Sequence, residues 1–140
     1  MQLSDTLRTT LAAAINTAVG ATGFARFYTA AYASKLATAA CSNPAFIAGA
    51  AGVTDLDVTP AVEDTSPAAA GTCVLLAFYP NSTAAATAFT FALGVAQATP
   101  ADVTMSNNVI ATTDTVQISS LQITVPVSYT HLTLPTTPYV

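Results

Sequence analysis

Leu3, Leu7, Leu11, Ile15 and Val19 recur at every fourth position near the start of the chain. That spacing lines them along one side of a helix, with Thr6, Arg8, Thr9, Asn16 and Thr17 on or near the other side. Ser4 offers an N-cap hydroxyl, Asp5 sits where the macrodipole favours a carboxylate, and Gly20 and Gly23 end the segment. An apolar stripe needs a cover. The spacing therefore predicts one amphipathic helix, within residues 1–22, laid on the body of the chain or reaching beyond it. Leu7, Leu11 and Ile15 are the candidate partner-binding residues if it faces outward.

The body reads as short strands between Gly, Pro and Asn turns. Residues 24–29, FARFYT, form the first, with Phe24, Arg26 and Tyr28 on one face and Arg26 expected at the surface. Lys35 to Ala40 is the second, closed by Ser42-Asn43-Pro44. Phe46 and Ile47 follow as an apolar plug. Val53 to Val58 is a strand that sets Asp55 and Asp57 opposite Leu56 and Val58. Pro60 to Gly71 reads as loop. Thr72 to Tyr79 is the most continuous apolar run, which places it centrally in a sheet. Thr87 to Val95 alternates through Phe89, Phe91 and Leu93, and 103–105 and 109–110 are short strands. Val116 and Ile118 share one parity, while Leu121, Ile123 and Val125 share the other, a change at Ser119-Ser120 that predicts a β-bulge. The expected fold is mainly β: an antiparallel sandwich or open barrel over residues 23–126, with one N-terminal amphipathic α-helix.

Residues 127–140, VSYTHLTLPTTPYV, continue the last strand poorly. Val127 to Thr136 is the translation of one frame of a common transposase sequencing adapter, GTC TCT TAT ACA CAT CTG ACG CTG CCG ACG. An index and then GTG TAG come next in such a library, giving Val140 and a stop where this chain stops. The segment is expected to be an adapter-derived artefact, with the natural chain continuing past Pro126, and it is set aside like any fusion scar. His131, the only histidine, goes with it, and so do Tyr129 and Tyr139.

Without His131 the chain has no imidazole for general-base work or metal ligation. No G-x-S-x-G elbow, P-loop or G-x-G-x-x-G is present. Asp55, Asp57, Glu63 and Asp64 are the densest carboxylates, but their spacing matches no EF-hand loop, and the absence of Trp speaks against a sugar-cleaving groove. Cys41 and Cys73 are expected to be free thiols. No catalytic, cofactor-binding or metal-binding residue is expected, and no cofactor.

Only 7% of residues are charged, against roughly 25% in an ordinary soluble domain. A surface this poor in charge resists association weakly and suits a subunit of an assembly. Arg8, Arg26 and Lys35 are too few to track phosphates on a chain of net charge −4, which excludes nucleic acid as the expected partner. No apolar run reaches the roughly 18 residues of a membrane span, and MQLSDTLR lacks the basic start of a secretory signal.

Taken in order, the leading L-x-x-x-L-x-x-x-I helix ending in Gly20-Ala-Thr-Gly23, then ARFYTA, KLATAACSNPAF, AVEDTSPAAAGT and NNVIATTDTVQISSLQITVP are similar to a family of small proteins encoded among tailed-bacteriophage structural genes. The resemblance spans nearly all of residues 1–126. This chain departs from it with Cys41 before Ser-Asn-Pro, where an apolar or aromatic residue is expected, and with a trimmed loop after Ser34. The resemblance implies a virion-associated role, head or tail, reached by self-assembly or by docking on other virion proteins after synthesis in the bacterial cytoplasm. It implies no catalytic residues. The alternative is a secreted bacterial adhesin or carbohydrate-binding module, which expects a Cys41–Cys73 disulfide.

Overall fold

The computed structural model describes residues 1–97 and 101–128. Helix α1 (Asp5–Val19) opens where Ser4 Oγ accepts the Leu7 N–H at 3.2 Å. It closes at Gly20, whose φ of 74° suits a residue without Cβ. Twelve strands follow among the described residues: β1 (Phe24–Tyr28), β2 (Lys35–Ala40), β3 (Phe46–Ala48), β4 (Val53–Leu56), β5 (Val62–Asp64), β6 (Gly71–Thr72), β7 (Leu75–Tyr79), β8 (Phe91–Ala96), β9 (Val103–Thr104), β10 (Val109–Ile110), β11 (Val116–Ile118) and β12 (Gln122–Thr124). The fold is mainly β with one N-terminal helix, as expected, and among the described residues its sheets do not close into a barrel.

The main sheet has the order β2-β1-β7-β8-β9, and a second sheet has the order β12-β4-β3. Two ribbons, β10-β6 and β11-β5, complete the body. The Phe46 ring of β3 lies 5.4 Å from Phe78 on β7 and 6.0 Å from Phe91 on β8, so the second sheet packs on the first in a sandwich-like way. Strand β7 is central, and Leu76, Ala77, Phe78 and Tyr79 are all buried. Covering on both faces is why this stretch reads as a continuous apolar run rather than an alternating one.

Several local expectations are corrected. Val116–Ile118 and Gln122–Thr124 are not one bulged strand: β11 pairs with β5 and β12 pairs with β4. Ser119-Ser120 marks the crossing between two pairings, and the change of parity follows from the change of partner. The 60–71 segment is not all loop, because β5 lies within it and β6 begins at its end. Strand β8 starts only at Phe91, because residues 81–90 run through turns and bends before the chain joins β7. The β8–β9 pair is parallel, so the main sheet is not wholly antiparallel. Ile47 is 52% exposed, which leaves Phe46 as the plug. Of the 127–140 tail, Val127 and Ser128 are described: the Val127 carbonyl accepts the Leu3 N–H at 2.8 Å, and Ser128 bridges to Gln2. Residues 129–140, with His131, Tyr129 and Tyr139, lie outside the described residues.

Arg26 is the largest departure. It is 4% exposed, not a surface residue. Its Nη1 donates to the Ala84 carbonyl at 2.8 Å, its Nη2 donates to the Ser82 carbonyl at 2.7 Å, and its guanidinium lies 4.1 Å from the Tyr79 ring centroid. Tyr79 in turn donates its hydroxyl to the Ala86 carbonyl at 2.7 Å. The segment after β7 is thereby pinned over the outer face of the main sheet by carbonyl contacts, which a sequence pattern does not reveal. Nε of Arg26 has no hydrogen-bond partner among the described residues. Replacing Arg26 by Ala orphans two carbonyls and opens a cavity, and it is expected to lower the unfolding free energy by about 2–4 kcal/mol in chemical denaturation. A change below about 0.5 kcal/mol would show that the guanidinium does not hold this segment.

Candidate functional site

A strict spacing of four does not follow a helix of 3.6 residues per turn. Each step advances the stripe by about 40°, so it winds around the axis. Leu3 precedes the Ser4 cap, and the four repeat positions within α1, Leu7, Leu11, Ile15 and Val19, begin on one side of the helix and end on another. Val19 is fully buried, Ile15 is half-buried against the core, and Leu11 and Leu7 are 41% and 45% exposed.

The edge of α1 that faces the body runs through Arg8, Ala12, Asn16 and Val19, with Arg8, Ala12 and Val19 buried. Arg8 and Asn16, expected near the solvent side, are thus the polar seats of the helix. Arg8 Nε donates to the Val125 carbonyl at 3.0 Å and its Nη1 donates to Asp5 Oδ1 at 3.0 Å. Asn16 Oδ1 accepts the Phe46 N–H at 3.1 Å. Backbone groups at the ends of two strands need partners, and side chains of α1 supply them. Gly52, at φ 79°, lets the chain pass beneath: a Cβ there would stand 2.8 Å from Cβ of Arg8.

Because the seat lies on that edge, the neighbouring side of α1 is left with apolar groups at the surface. Leu11, Ala14, Ile15 and Ala18 line an open groove of about 410 Å³ with residues 90–93 and Ile123. Among the described residues, no charged side chain lines it. Leu7 lies one turn further along the same side. Of the three candidate partner-binding residues, Leu11 and Ile15 thus meet in one groove and Leu7 stands beside it. The part of β8 in this groove was not foreseen, and the signal for it was the alternation through Phe91 and Leu93.

The other candidates do not converge. Asp64 accepts the Thr38 and Ser66 N–H groups, Asp57 accepts the Thr59 N–H, and Asp55 accepts Nε2 of Gln122. These carboxylates tie turns and strands together, and among the described residues no three His, Cys, Asp or Glu side chains gather as metal ligands. A second cleft, of about 440 Å³, runs between 103–110 and 114–120. Two of its polar side chains are already engaged, Asp114 with the Ala111 N–H and Asn107 with the Val109 N–H. Cys41 and Cys73 are unpaired.

Comparison of the chain with known protein families, with curated proteins and with solved structures finds no match.

Burial pushes the Cys41 thiol up from 9.0 to about 11, and burial also raises that of Cys73. The fold favours the neutral thiols. For Cys41 that stabilisation is full below about pH 9 and is lost as pH rises toward about 11. Denaturation midpoints are expected to fall across that window in the wild type and to fall less in Cys41→Ala; equal declines would contradict the assignment.

Proposed function

We propose that this chain is a non-enzymatic structural or accessory subunit of a tailed-bacteriophage particle, of the head or the tail, which works by docking protein on protein. The observation that carries the reading is the uncharged side of α1, where Leu7 and Leu11 stand exposed beside a preformed apolar groove. Large apolar side chains grouped at one place on a surface mark an interaction site more often than scattered ones do. The low charge of the whole chain and the ordered motifs that resemble phage structural proteins support the same reading. The unpaired state of Cys41 and Cys73 favours it over a secreted adhesin, for which a disulfide is the expectation.

The test is mass spectrometry of purified, nuclease-treated particles made from a phage locus that encodes this chain. The chain is expected in intact particles in fixed ratio to the major structural proteins, and Leu7→Asp with Leu11→Asp is expected to reduce its incorporation while leaving the isolated protein folded. Particles that lack the chain altogether, with the protein recovered outside the cell, would overturn the proposal.

A further inference from the structure

Leu7, Leu11, Ala14 and Ala18 are all exposed on α1 and follow one another at steps of four, three and four residues. They occupy about 60° of arc and so form a seam parallel to the axis, the 4-3-4 spacing that paired helices bury. The seam is separate from the edge seated on the body, where Arg8, Ala12 and Val19 fall within about 40°. Its side chains run large, large, small, small. Set antiparallel against a copy of itself, with the two-fold axis between the levels of Ala12 and Ala13, this order reverses. Leu7 then meets Ala18 of the second copy, and Leu11 meets Ala14. Each layer pairs a large side chain with a small one, which allows close approach of the axes. A parallel pairing would set Leu on Leu at one end and leave a gap between alanines at the other.

The groove fits the same occupant. Ala14 and Ala18 line it, so the leucines of a second copy arriving opposite them would enter the space between α1 and β8. Charge points the same way. The chain carries net charge −4, and a face free of charged side chains is where two like-charged copies meet without burying carboxylates. The antiparallel arrangement also sets the two helix macrodipoles head to tail.

From these features we infer that the occupant of this surface is a second copy of the same chain, joined through an antiparallel, two-fold α1–α1 pair with Leu7 and Leu11 of each copy filling the groove of the other. The inference rests on the docking reading above and names its partner.

Sedimentation equilibrium of the full chain over a wide concentration range tests it. A monomer–dimer equilibrium is expected, weakened at least about tenfold by Leu11→Asp and by Ala14→Leu, with unchanged helical dichroism, and unaffected by Thr6→Asp on another side of α1. Ala14→Leu is the discriminating variant. It sets Leu against Leu11 of the second copy and closes the groove, yet it adds apolar surface that an unrelated apolar partner would tolerate. A wild type that stays monomeric throughout, or a dimer insensitive to both variants, overturns the inference. Monomeric protein that still enters particles overturns this pairing while the docking reading stands, whereas absence from particles together with an intact dimer removes the docking reading alone.

Discussion

Phe46 is the point at which the three parts of this fold meet. Its ring packs against the stacked pair of Phe78 and Phe91 in the main sheet, and its backbone amide is held by the carboxamide of Asn16 on α1. One residue thus joins the second sheet to the first through apolar contact and to the helix through a hydrogen bond. The two contacts differ in kind. Burial of aromatic area is non-directional and stabilises many arrangements, whereas an amide that must find an acceptor selects one. Asn16 at one end of α1 and Arg8 at the other, donating to the Val125 carbonyl, set how the helix is rotated about its axis.

That rotation has a consequence at the surface. If apolar burial alone oriented α1, Leu7 and Leu11 would turn inward. The polar seats instead place alanine at the middle of the buried edge and leave the leucines beside a groove. Two exposed leucines cost an isolated protein solubility, and they give an assembling one a surface already formed before contact. The near-absence of charge acts in the same direction, because little electrostatic repulsion opposes association.

The helix, its caps, the central position of β7 and the existence of most strands were legible in the sequence, since each depends on local periodicity or on one capping residue. What escaped depends on partners distant in the chain. Arg26 has the pattern of an exposed strand position, and its burial is made tolerable by the carbonyls of Ser82 and Ala84 and the ring of Tyr79. Val116 to Thr124 has the parity of a bulge, and only the separate pairings with β5 and β4 reveal two strands. Arg8 and Asn16 look like solvent-facing polar residues because a sequence does not show which backbone groups elsewhere lack partners. Of the candidate site, the residue types were readable, while the division between Ile15, seated against the core, and Leu7 and Leu11, left outside, follows from the gradual winding of a four-residue repeat.

The central claim is that polar seats fix the rotation of α1 and leave its leucine side outside. Thiol accessibility along the helix tests this most directly, with single cysteines placed at 7, 11, 12 and 19, all clear of Arg8 and Asn16, in a Cys41→Ala, Cys73→Ala background and alkylated in dilute, folded protein. The account predicts rapid reaction at 7 and 11 and protection at 12 and 19. Protection at 7 and 11 with rapid reaction at 12 would show that apolar burial, not the Arg8 and Asn16 contacts, orients the helix.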